Sequence, residues 1–135
     1  MTTATTQPHW WVGIIDDDAS LRRAIARFLR EHAISVELFA SAEEYLNRIV
    51  GGEPCCLIVD VHLGGLTGFE LQDYLVSRDM APPIIFITGH EEITSAQLAA
   101  RAGACGFLRK PFEGRALLSL LHEHLPRAAL EQYSR

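Results

Sequence analysis

WWVGIIDDDAS, residues 10–20, runs from an apolar segment straight into three adjacent carboxylates, Asp16, Asp17 and Asp18. The apolar part is short and bounded by charge, which reads as a buried strand. The carboxylates repel. Two unit charges about 4 Å apart cost on the order of 4 kcal/mol at an effective dielectric near 20. Open water, a changed proton count or a cation must relieve that repulsion.

The same pattern recurs along the chain. Short apolar runs end at Ile15, Phe39, Val59, Ile87 and Leu108. Between them the period changes to that of a helix: Leu21, Ile25, Phe28 and Leu29 share one face, and Ala42, Tyr45, Leu46 and Ile49 share another. Ser41 with Glu44 and Thr67 with Glu70 have capping-box spacing. Ala96, Ala99, Ala100 and Gly103 make a small-residue face, and Leu117, Leu120 and Leu121 line the last helix. Five β-α units follow. Strands this apolar need cover on both sides, so the expected fold is α/β, a five-stranded parallel sheet between helices. Right-handed crossovers make the flavodoxin-like strand order 2-1-3-4-5 the leading topology.

The bulk properties fit one soluble domain. The chain has 135 residues, of which 48% are hydrophobic and 21% charged, with a formal net charge of −5. No Lys/Arg run is present to neutralise phosphates, which argues against direct nucleic-acid binding. No apolar stretch reaches the roughly 18 residues of a membrane span, and residues 1–10 lack a signal peptide's basic and apolar regions. Cys55, Cys56 and Cys105 are odd in number and carry no zinc-site spacing. Reduced thiols and a cytoplasmic location are expected. Residues 1–10 read as a polar arm, 11–126 as the domain and 127–135 as a tail.

In open parallel sheets, function collects at the carboxyl ends of the strands. Strand 1 ends in Asp16, Asp17 and Asp18, strand 3 in Asp60, strand 4 in Thr88, and strand 5 in Lys110 and Pro111. Strands 1 and 3 are neighbours in the expected order, so their carboxylates should converge. Asp16, Asp17 and Asp60 suit a hard cation with oxygen ligands, Mg²⁺ best and Mn²⁺ as a substitute. Asp18 suits the cap of the first helix. Asp60 is the candidate nucleophile toward phosphorus. The Lys110 ammonium and the Thr88 hydroxyl would hold phosphoryl oxygens.

Taken together, IIDDD, LIVD, ITGH and LRKPF resemble the receiver domain of two-component response regulators, over about Val12 to Leu125. The run RAGACGFLRKPFE is most similar to the FixJ-type branch. The resemblance implies that Asp60 takes a phosphoryl group from a histidine kinase or an Hpt protein. It implies Asp17 as a direct Mg²⁺ ligand beside Asp60 and the backbone carbonyl of His62, with Asp16 completing the acidic pair. It makes Thr88 the switch hydroxyl, Phe107 the switch aromatic, and Lys110–Pro111 a cis bond. His62 and His90 fall where receivers tune phosphoryl turnover. The readout face would comprise the fourth helix, fifth strand and fifth helix, where Arg101 and Arg109 alternate with Glu91, Glu92 and Glu113. An output protein or a second copy would dock there. One departure is visible: Gly64 stands where the family usually has proline, and Gly64-Gly65 should loosen that loop.

Three rival readings stand beside this one. A small haloacid-dehalogenase-like phosphatase would use Asp16 as nucleophile and Asp18 as acid/base, but it leaves Asp60 without a role. A flavin or nucleotide module would need a glycine-rich phosphate loop after strand 1, and none is present. A receiver that docks partners without taking phosphate would not need the full residue set. The short tail favours a stand-alone receiver, with a fragment of a DNA-binding regulator as the alternative.

Overall fold

The computed structural model describes residues 10–48, 52–89, 97, 101 and 104–126. Five strands, β1 (Val12–Ile15), β2 (Val36–Phe39), β3 (Cys56–Asp60), β4 (Ile84–Thr88) and β5 (Ala104–Arg109), form one parallel sheet of order β2-β1-β3-β4-β5. This is the expected topology. The described helices are α1 (Ala19–Glu31), α2 (Ala42–Leu46), α3 (Gly68–Ser77) and α4 (Gly114–His122). The small-residue helix expected before β5, and Ile49 beyond α2, lie outside the described residues. Helix α4 is therefore the one read as the fifth.

Period-two alternation splits the core into two layers. Ile15, Leu57, Val59, Ile84 and Phe86 face α2 and α3, where they meet Tyr45, Leu71 and Leu75. Ile14, Ile58, Ile85 and Ile87 face α1 and α4, where they meet Ile25, Leu29, Leu117 and Leu121. Strands β1, β3 and β4 are buried at every position, while the edge strands β2 and β5 are only partly covered. Burying each such side chain stabilises by roughly 1.5–3 kcal/mol. The exposed Arg27–Glu31 pair, 3.7 Å apart, belongs to a class that contributes under about 1 kcal/mol. Layer packing, not surface charge, dominates the stability of the sheet.

The helix starts follow local chemistry. Asp18 Oδ1 accepts from the N–H groups of Ser20 at 3.0 Å and Leu21 at 3.2 Å, so it caps α1 as expected. Thr67 and Glu70 form a complete capping box at the start of α3. The Ser41 box is only half made. Ser41 Oγ accepts from Glu44 N, but the Glu44 carboxylate reaches one residue further back, to Ala40 N at 3.2 Å. The extended backbone at Ser41 (φ −152°, ψ 164°) brings that earlier amide into range.

Candidate functional site

The strand tips converge as the strand order requires. Asp16 directly follows β1 and is fully buried; Asp60 ends β3 and is 4% exposed. Exposed Asp17 joins them, and one carboxylate oxygen from each of the three lies within 4.8 Å of the others. Backbone amides hold the two buried groups in place. Asp16 Oδ1 accepts from Asp18 N at 2.9 Å, and Asp60 Oδ1 accepts from His62 N at 2.9 Å. The Asp16 carbonyl accepts from Arg22 Nη1 at 2.6 Å, which ties the first turn of α1 to this rim.

Lys110 arrives from beyond β5. Its Nζ donates to Asp60 Oδ2 at 2.7 Å and lies 3.2 Å from Asp16 Oδ2. The second contact is an ion pair to a fully buried oxygen. The Lys110 amide donates to the carbonyl of Thr88 at 2.8 Å, and Lys110–Pro111 is cis, as the resemblance implies. Thr88 is fully buried at the end of β4. Phe107 is half-buried on β5, in register with Phe86 and packed on the α2/α3 side of the core. His62 is half-buried just past Asp60, while His90 lies outside the described residues.

The electrostatics follow from burial and crowding. Burial pushes the Asp16 carboxyl above its ordinary range; the Asp18 amide opposes this, the Asp60 charge adds to it and Lys110 counters it. Burial alone would lower the Lys110 ammonium, but the hydrogen bond and charge of Asp60, with Asp16 beside it, outweigh burial and raise it. With all three carboxylates ionised, one ammonium leaves an excess of two negative charges. That excess, on three clustered carboxylates, fits a divalent oxygen-seeking cation.

Arg101, placed by the sequence on the readout face, is held against α3. Its guanidinium donates to Gln72 Oε1, to the Phe69 carbonyl and to Asp73 Oδ1, and lies 4.6 Å from the Phe69 ring centroid. The phosphatase reading gains no support. Its proposed acid/base, Asp18, caps α1, and its proposed nucleophile, Asp16, is the more enclosed of the two buried carboxylates. Sequence reasoning missed Glu43, whose carboxylate accepts from Leu66 N in the loop after Asp60 at 3.1 Å.

The fold is an open parallel α/β sheet with an acidic cluster and a lysine at its strand tips, and comparison with known proteins supplies the family. The model of the response regulator receiver domain matches residues 12–122, so the chain belongs to that family, a receiver of two-component signalling. It is 39% identical to nodulation protein W of Bradyrhizobium diazoefficiens over 107 residues, 79% of this chain and 47% of that protein. It is 34% identical to the transcriptional regulatory protein FixJ of the same organism over 124 residues, 92% of this chain and 60% of that one. Among solved structures, the response regulator StyR aligns with a TM-score of 0.76 at 36% identity, covering 91% of this chain and 62% of that chain. The N-terminal part of FixJ aligns with a TM-score of 0.73 at 30% identity, covering 89% and 98%. The chain spans about half the length of the curated relatives nodulation protein W and TodT of Pseudomonas putida. Among the described residues, no helix is long and apolar enough to cross a membrane.

Proposed function

We propose that residues 11–126 act as a phosphoacceptor receiver and that Asp60 carries the phosphoryl group. The observation that carries this reading is the 2.7 Å contact between Lys110 Nζ and Asp60 Oδ2, beside the three-carboxylate cluster. An Asp60 oxygen attacks phosphorus, the donor's phosphorus–nitrogen bond breaks, and an acyl phosphate forms. The donor is a phosphohistidine of a histidine kinase or an Hpt protein. As the phosphoryl group arrives, the Lys110 ammonium passes from the Asp60 carboxylate to a phosphoryl oxygen. The Thr88 hydroxyl donates to another. Attack by water on phosphorus later releases phosphate and restores the carboxylate, and the side chains of His62 and His90 set the pace of that step.

Mg²⁺, or Mn²⁺ in its place, would be held by Asp16, Asp17, Asp60 and the His62 carbonyl. When bound, it supplies charge neutralisation at the phosphoryl oxygens. Movement of Thr88 toward the phosphoryl group opens space for the half-buried Phe107 ring. That shift alters the face of β5 and α4, with the helix expected from the sequence before β5, and this face docks an output protein or a second copy in the cytoplasm.

The test is phosphorylation by acetyl phosphate with Mg²⁺, followed by mass mapping of the modified residue. Modification of Asp60, lost in Asp60→Asn, supports the reading. Modification of Asp16, or of no residue, ends it.

A further inference from the structure

We propose that Glu43 is a positioning residue for the phosphoacceptor loop, holding residues 61–67 in the geometry that lets Asp60 react. The inference rests on the reading of Asp60 as the phosphoacceptor. The loop is fixed at its ends by contacts of its own. Gly68 N donates to the Val61 carbonyl at 2.8 Å, and the Thr67–Glu70 box starts α3. A further contact, next to the Thr67 cap, comes from outside. Glu43, in the first turn of α2 and 23 residues earlier in sequence, accepts from Leu66 N at 3.1 Å.

Gly65 shows how closely the two segments fit. A Cβ there would lie 2.5 Å from Glu43 Oε2 and 2.9 Å from Oε1, so the carboxylate fills the volume a side chain would need. At Gly64 a Cβ would meet nothing within 4 Å. Of the paired glycines, only Gly65 abuts another segment, and a Cβ there would push the Glu43 carboxylate out of its place. An acidic residue in a first helical turn ordinarily serves its own helix. Here Glu44 makes the reach back to Ala40 N, while Glu43 turns outward onto the loop.

The loop begins at the reacting carboxylate, and His62 N already orients Asp60 Oδ1. Releasing Leu66 lets the loop sample other arrangements. The reaction rate then falls with the fraction of molecules still correctly arranged.

The experiment compares full-chain variants for the rate of Asp60 modification by acetyl phosphate with Mg²⁺, well below the unfolding midpoint, with the midpoint measured in parallel. Glu43→Ala should slow modification roughly 3- to 10-fold by that loss of competent population. Glu43→Gln keeps an acceptor oxygen and should stay near wild type. Gly65→Ala should slow the otherwise native protein, yet add little to Glu43→Ala, since both break one contact. A lower midpoint for Glu43→Ala with an unchanged rate, or additive effects of the two substitutions, overturns the proposal. Failure of the wild type to be modified at Asp60 removes the phosphoacceptor reading, and this inference with it. A modified wild type with an equally fast Glu43→Ala removes this inference alone.

Discussion

Lys110 and Asp60 meet at 2.7 Å although their strands, β5 and β3, are separated by β4. The contact spans a strand because Lys110 lies beyond the end of β5, anchored by its amide to the Thr88 carbonyl, so its long side chain turns back across the rim. Lys110→Ala should leave Asp60 able to react with a small phosphodonor but without its fixed cationic partner. Removing one donor to developing charge costs roughly 10²- to 10³-fold in comparable sites. The modification rate of Lys110→Ala against wild type checks this, and Lys110→Arg should recover little, since a planar fork does not replace a compact ammonium.

Three carboxylates sharing one ammonium predict a metal-dependent stability. Mg²⁺ at ten times its dissociation constant should stabilise the fold by about 1.4 kcal/mol, and chelation should remove that gain. Asp17→Asn should abolish the Mg²⁺-induced rise in melting temperature. In chelator the same variant should melt no lower than wild type, because a repelling charge has gone while the exposed side chain occupies no core position. Differential scanning fluorimetry across a Mg²⁺ titration reads both outcomes.

Legibility in the sequence follows the range of each contact. The runs at Ile14–Ile15, Ile58–Val59 and Ile85–Ile87 announce buried strands because both faces are covered. The five-unit rhythm then fixes the sheet order, which brings Asp16 beside Asp60. Asp18 as a cap is legible because its partners, Ser20 and Leu21, lie two and three residues ahead. Arg101 reaching Phe69 and Glu43 reaching Leu66 leave no such trace. Their partners lie 32 and 23 residues away, and the pairings exist only once the helices are docked. Glu44 bonding to Ala40 rather than Ser41 depends on one backbone angle that spacing cannot encode.

Arg101 should prove a structural clamp on α3. Its Nε donates to Gln72 Oε1 at 2.9 Å, and its Nη2 donates to the Phe69 carbonyl at 2.9 Å and to Asp73 Oδ1 at 2.6 Å. Gln72 is only 2% exposed, so its amide oxygen would lose this donor in a place water reaches poorly. Arg101→Ala should destabilise by about 1.5–3 kcal/mol, the range for hydrogen bonds to charged groups. Arg101→Lys should rescue little, because one ammonium cannot serve three divergent acceptors. Asp73→Ala should cost under about 1 kcal/mol, given its 69% side-chain exposure. Urea unfolding of the three variants gives the comparison, and equal losses for Arg101→Ala and Asp73→Ala would count against the clamp.

Stability should fall progressively in alkali, and two of the groups responsible, Cys55 and Tyr45, lie away from the acidic rim. Burial pushes the Cys55 thiol up to about 11 from 9.0, and pushes the Tyr45 hydroxyl up to about 12 from 10.0. Below pH 9 both groups hold their protons in either state, and their contribution is complete. From pH 9 to about 11 the unfolded chain releases the Cys55 proton while the folded chain keeps it, so stability declines as pH rises. Tyr45 repeats this between pH 10 and about 12. Cys55→Ala should lessen the decline that begins at pH 9 without abolishing it, because the neighbouring Cys105 sulfur and burial push the Cys56 thiol up as well, and Tyr45→Phe should lessen the part that begins at pH 10, measured as urea midpoints from pH 8 to 12. At pH 7, Tyr45→Phe should be neutral or stabilising. Among the described residues the buried Tyr45 hydroxyl has no hydrogen-bond partner, while the ring's edge contact with Phe39 and the Arg48 guanidinium over its face survive the change. A loss above about 1 kcal/mol in Tyr45→Phe at pH 7, the worth of a typical hydrogen bond, would mean that the hydroxyl is satisfied after all.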